Sequence, residues 1–238
     1  MRTAAIIATS ALLLTGCAAS TPAPHGISIV ASTDVWGDIA KQIAGHDATI
    51  TSIITDPSQD PHSYQADAQV QLALSKADVV IENGGGYDDF VDTMLKAASN
   101  PTVKVLNAVK LTGVTEDPII HDVNEHVWYD FPGVQKVAAK LTATLSALDS
   151  SKAADFAARE KTFDAALATL ENSEARLKAS ASGTGVAITE PVPLYMLEAS
   201  GFVDKTPPAF SSAIENGTDV APLLLQQTLA LFSKHEVK

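Results

Sequence analysis

KAADFAAREKTFDAALATLENSEARLKA, residues 152 to 179, decides the fold. The run holds neither Pro nor Gly, the two residues that cost a helix interior most, and it carries Glu and Lys along its length. It follows a break at Asp149-Ser150-Ser151 and ends before Gly183. A segment of strand and helix pattern lies on each side of it, so it reads as a connecting helix. Upstream, strands are expected over 27–31, 48–54, 78–82 and 103–106. Helices are expected near 34–44, with Asp34 as N-cap, near 66–76 and 88–98, and over 132–148. Such alternation implies a parallel sheet covered by helices. Downstream the pattern restarts with a strand over 185–189, a helix from Pro191 to about 199 and a helix over 221–235, and Val237 reads as the start of a further strand. One strand with two helices makes a poor sheet, so the second part is expected to be truncated.

The amino terminus carries a different kind of signal. Arg2, an uncharged run over 4–14 and small residues before Cys17 form a secretory leader layout, too short to span a bilayer. Leu14-Thr15-Gly16-Cys17 also resembles the bacterial lipobox, in which the cysteine is lipidated and becomes the first mature residue. Residues 18–26, with Pro22 and Pro24, read as a tether. Cys17 is the only cysteine, so its lipidation leaves neither a disulfide nor a thiolate metal site, and any metal must bind through nitrogen and oxygen. Loss of Arg2 with the leader takes the net charge from −12 to −13. That acidity argues against nucleic acid and against a polybasic second membrane anchor.

Three segments place a candidate ligand on a loop. Asp60-Pro61-His62-Ser63-Tyr64 follows the strand ending near Ile54, and its prolines stiffen the backbone around His62 at the carboxyl end of a strand, where open α/β sheets bind ligands. In Glu125-His126-Val127-Trp128, Val127 and Trp128 can enter the core and hold His126 at its edge. His121, beside Ile119-Ile120 and Asp122, reads as a solvated loop histidine. Glu190 closes the strand over 185–189, and Pro191 after it holds it extended while suiting the first position of a helix. Each segment has a plain alternative: a surface histidine in a turn, a core tryptophan, an acid at a helix start. Together, two histidines and a glutamate form a nitrogen and oxygen set suited to a borderline-hard cation. Gly84-Gly85-Gly86 lacks dinucleotide spacing and reads as a tight turn near the ligand crevice. No Gly-x-Ser-x-Gly, His-Glu-x-x-His or phosphate loop occurs.

With these residues in view, the chain resembles the metal-binding lipoproteins that serve zinc and manganese ABC importers. Asp60-Pro61-His62-Ser63-Tyr64 is similar to that family's Asp-Pro-His-x-Tyr segment and His126-Val127-Trp128 to its His-x-Trp segment. Glu190, Tyr195 and Gly201 match its third motif. The resemblance implies an α/β fold of two lobes with mainly parallel sheets flanked by helices, joined by a long rigid helix. The boundaries are then 1–16 signal peptide, 17–26 lipidated tether, 27–150 first lobe, 151–180 connecting helix and 181–238 incomplete second lobe. It implies His62, His126 and Glu190 as ligands to one Zn2+ or Mn2+ held between the lobes. The chain departs from the family pattern at Glu125, where proline is common, at Tyr129, in place of leucine, and in having no histidine-rich loop before His126. The family's fourth ligand, usually aspartate, comes from a loop beyond residue 238.

The function expected is capture of a divalent ion and its delivery to an ABC permease. The protein is expected to be a monomer anchored outside the cytoplasm by Cys17, with no enzymatic reaction of its own. The alternatives are a zinc hydrolase using the same residues with Asp60 or Glu125 as base, and a surface adhesin. Glu190 in place of a third histidine leans toward manganese by hardness, whereas zinc outranks manganese at most such sites.

Overall fold

Strand β1 (Ile27–Thr33) sits inside a four-stranded sheet and is covered on both faces, with Ile29, Val30 and Ala31 buried. That two-sided burial is what a central parallel strand requires. The computed structural model describes residues 26–115 and 123–238. The leader, Cys17 with its tether and His121 lie outside the described residues. β1 is flanked by β2 (Ala48–Ile54) and β3 (Val79–Glu82), and β4 (Lys104–Asn107) completes the order β2-β1-β3-β4 with all pairs parallel.

Helices cover both faces of this sheet. Helices α1 (Asp34–Ala44), α5 (Phe131–Leu148) and α6 (Ala153–Ala181) enclose one core, built from Ile29, Ala31, Val79 and Ile81 with Trp36, Ile43, Leu141, Leu145 and Phe156. The opposite face buries Val30 and Val80 against α2 (Ala68–Ser75) and α3 (Phe90–Ala98) through Leu74 and Val91. The alternation of Val79, Val80 and Ile81 between the two cores follows from the two-residue period of a strand. Short α4 (Ala108–Thr112) follows β4 and is capped by the Asn107 side chain, which accepts from the Lys110 amide. Asp34 was expected as the cap of α1, and the cap is Thr33. Thr33 still pairs with Ile54 and is extended, which makes Asp34 the first helical residue, an acid at the positive end of the helix dipole.

The connecting helix expected over 152–179 is α6, of 29 residues, roughly 43 Å at the usual rise. It is fastened at its start. Arg159 donates through Nη1 to the carbonyls of Ile43 and Ala44 at 3.2 and 2.7 Å and pairs through Nη2 with Asp47. One guanidinium therefore satisfies the open carbonyls at the end of α1 and neutralises the acid beyond it.

Past α6 the structure holds more elements than the sequence suggests. Strand β5 is only Gly185–Val186, paired in parallel with β6 (Val203–Asp204). The strand expected over 185–189 stops early because Ile188 turns its amide to the Thr206 hydroxyl, 2.8 Å away, and leaves the ladder. Pro191 does not open the next helix: α7 spans Leu194–Ala199. Val192, preceding Pro193, is biased away from helical backbone, so no helix runs through these residues. Helix α8 (Pro208–Glu215) was not anticipated, and α9 (Pro222–Ser233) matches the last expected helix. Val237 starts no strand, although the Lys238 amide donates to the Gly185 carbonyl at 3.2 Å. Among the described residues, no helix is long and apolar enough to cross a membrane.

Candidate metal centre

His62 stands at the carboxyl end of the first sheet, on the loop after β2. Pro61–Ser63 form a single 3-10 turn whose cap is Asp60: its carboxylate accepts from the His62 amide at 3.0 Å and from the Ser63 hydroxyl at 2.9 Å. The proline and the cap together fix the backbone that carries the imidazole. His126 precedes a second 3-10 turn, Val127–Tyr129. Val127 is fully buried and Trp128 packs against the same core, so the chain just after His126 is anchored as the sequence implied.

The end of β3 holds the neighbouring acid in place. Asn83, fully buried, accepts from Trp36 Nε1 at 3.1 Å and donates to the carbonyls of Gly84 and Glu125 at 3.0 and 2.9 Å. Asp88 closes the turn beneath by accepting from the amides of Asn83 and Gly84. The three glycines do form the expected tight turn. All have positive φ, and a Cβ on Gly84 would come within 2.2 Å of Asn107 Nδ2.

Four side chains converge above this turn. His62 Nε2 lies 3.3 Å from both Glu125 Oε1 and Glu215 Oε1, and His126 Nε2 lies 3.5 Å from the same Glu215 oxygen. Donor atoms of His62, Glu125 and Glu215 fall within 4.8 Å of one another, a spacing one cation could bridge. The other oxygen of Glu215 is buried with no hydrogen-bond partner, so it has acceptor capacity to spare. Tyr87 meets both imidazoles edge-on, with ring centroids 5.3 and 5.7 Å away, and leans on Trp128 at 5.1 Å. Beside this group opens a cleft of about 600 Å3, lined by residues 57–63, Tyr87, His126, Glu190, Val192 and residues 214–217.

The electrostatics follow from these contacts. Glu125 and Glu215 hydrogen-bond the His62 ring and raise its pKa to about 10, so without a metal it carries a proton. Burial pushes His126 the other way, below its ordinary value, against the pull of Glu125 and Glu215. Burial also raises the Tyr87 phenol, which stays neutral. The His62 ring nitrogen thus faces two carboxylates at once.

Of the residues singled out from sequence, His62 and His126 come together, both facing Glu215. Glu190 lines the same cleft from an exposed bend four residues beyond the end of β5, outside the tight donor group. Sequence reasoning overlooked Glu215 and treated Glu125 only as a departure and a spare base. A signal for the helix bearing Glu215 was present: Pro207-Pro208 opens it, and Phe210 and Ile214 recur at helical spacing.

A parallel four-stranded sheet and a small two-stranded one, joined by a single long helix, define a class of fold seen in solved structures. A crystal structure of ZnuA matches with a TM-score of 0.73 at 19% identity, over 89% of this chain and 79% of that one. FpvC from Pseudomonas aeruginosa, solved in complex with Mn2+, also gives 0.73 at 19% identity, over 90% and 79%. The sequence is more specific: residues 29–238 match the model of the family described as zinc-uptake complex component A, periplasmic, and the chain belongs to that family. Among relatives, the manganese-binding lipoprotein MntA of Halalkalibacterium halodurans is 28% identical over 142 residues, 55% of this chain and 44% of MntA. The metal ABC transporter substrate-binding lipoprotein SloC of Streptococcus mutans is 26% identical over 174 residues, 70% of this chain and 56% of SloC. The chain thus spans about half the length of these relatives.

Proposed function

We propose that this protein captures one divalent transition-metal ion, zinc or manganese, outside the cytoplasm and delivers it to an ABC permease. The observation that carries the reading is the convergence of the His62 and His126 Nε2 atoms on Glu215. His62, His126, Glu190 and Glu215 supply two nitrogens and two carboxylates, a set that suits zinc and accepts manganese. Glu125 is the counter-ion that holds His62 when no metal is bound. Lipidation of Cys17 would keep a monomeric carrier close to its permease and raise its effective concentration there. The names of the relatives, metal-binding and substrate-binding lipoproteins, support this reading. The protein carries out no reaction in this account. A hydrolase would need a free base beside the metal, and of the two candidates Asp60 is engaged in capping the His62 turn.

Metal analysis of the purified chain tests the proposal. About one zinc or manganese per chain, with a rise in melting temperature on adding either ion, is expected, and no bound metal with no thermal shift would overturn it. The pH dependence follows from His62. Its folded pKa is raised, so its contribution to the metal-free fold is complete below about 6.5 and is lost as pH rises through about 10. At neutral pH an incoming ion must displace that proton. Titration calorimetry in buffers of different ionisation enthalpy should therefore show about one proton released per ion, and binding that tightens as pH rises. Binding without proton release would contradict the His62 ion pair.

A further inference from the structure

Asn124 has no role in any motif, yet it joins the two sides of the cleft. Its Oδ1 accepts from the His126 backbone amide at 3.1 Å and lies 2.8 Å from His126 Nδ1. Its Nδ2 donates to the Pro191 carbonyl at 3.1 Å, and its own carbonyl accepts from the Tyr195 hydroxyl at 2.7 Å. A backbone amide can only donate and a backbone carbonyl can only accept, so these two main-chain partners fix which end of the Asn124 amide is oxygen. Facing that oxygen, His126 Nδ1 must carry the ring proton. The lone pair is then on Nε2, the atom that faces Glu215 inside the cleft.

We infer that Asn124 is the positioning residue of this centre: it locks His126 in the Nδ1–H tautomer and ties that imidazole to the segment that carries Glu190. The two ends of the amide divide the work. Oδ1 selects the tautomer, with its ring nitrogen presented to the ion, as a hydrogen-bonded partner behind a histidine ligand does elsewhere. Nδ2 holds Pro191, the residue after Glu190, against the loop that carries His126. An aspartate at this position would keep the first task and lose the second, because a carboxylate has no proton to give the Pro191 carbonyl. Alanine would lose both.

The consequence for affinity rests on the metal-capture reading, and the tautomer does not. Long-range proton–nitrogen correlation spectra of the metal-free protein, at a pH where His126 is neutral, report the tautomer directly. Wild type and Asn124→Asp should show the Nδ1–H form, and Asn124→Ala should shift toward the Nε2–H form. Zinc affinity, measured by chelator competition, should fall by roughly 10- to 100-fold in Asn124→Ala, with partial recovery in Asn124→Asp. An unchanged tautomer in Asn124→Ala overturns the inference, as does an Nε2–H form in wild type. If Asn124→Ala does not fold, the wild-type tautomer and its retention in Asn124→Asp decide. Wild type with the Nδ1–H form and no zinc binding would leave the positioning role standing and sink the capture reading instead.

Discussion

His62→Ala and His126→Ala should each weaken zinc binding by at least about 100-fold, roughly 3 kcal/mol, in competition against a chromophoric chelator. Each removes one of the two nitrogen donors, whereas His46→Ala, an exposed histidine just past α1, should leave binding unchanged. The carboxylates separate two assignments. Glu215 faces both imidazoles, and Glu190 stands exposed at the mouth of the cleft, so Glu215→Gln should cost more affinity than Glu190→Gln. Glutamine keeps the shape and removes the charge that attracts the cation. Equal affinity in wild type and both histidine variants would remove the basis for a metal centre here. A larger loss from Glu190→Gln than from Glu215→Gln would return the site to the motif-based set of His62, His126 and Glu190.

The second large effect concerns stability. Trp36 is fully buried, fills the core between α1 and the sheet, and donates its indole proton to Asn83. Trp36→Ala should cost about 3–5 kcal/mol in denaturant unfolding, the range for emptying a large aromatic site. Trp36→Phe separates packing from hydrogen bonding. It keeps most of the ring volume and leaves the Asn83 oxygen without its indole donor, at about 1–3 kcal/mol. Because Asn83 also holds the carbonyl of Glu125, the residue before His126, Trp36→Phe should weaken zinc binding as well as stability. A Trp36→Phe protein as stable as wild type would show that the indole hydrogen bond contributes nothing.

The first sheet was legible in the sequence because its strands are apolar runs bounded by helix patterns. Ile27–Thr33 and Val79–Glu82 need no tertiary information to be recognised. Helix α6 was equally plain from its lack of Pro and Gly. His62 and His126 could be picked out because prolines and core aromatics flank them. The second part was less legible for a length reason. A two-residue strand such as β6 is shorter than the window over which periodicity accumulates, and α8 shows itself in the sequence only through Pro207-Pro208 and the pair Phe210 and Ile214. Glu215 was hidden with α8. Glu125 was visible, but its backbone is held by Asn83 and its carboxylate meets His62, both distant in sequence, and no local pattern encodes that.

The two sheets differ in size, and that difference bears on how the protein breathes. His62, Glu125 and His126 are borne by loops of the larger sheet, over a core rich in fully buried side chains. Glu190 and Glu215 belong to the part built around β5 and β6, where the buried apolar side chains after residue 182 are Phe210 and Val237. Local opening free energies follow the apolar contacts that must be broken, so amide protons of β5, α7 and α8 should exchange with solvent well before those of β1 and β3. A bound ion would slow that exchange only by gripping both parts at once. Its escape would then be timed by transient fraying of the smaller part, with the larger sheet still intact.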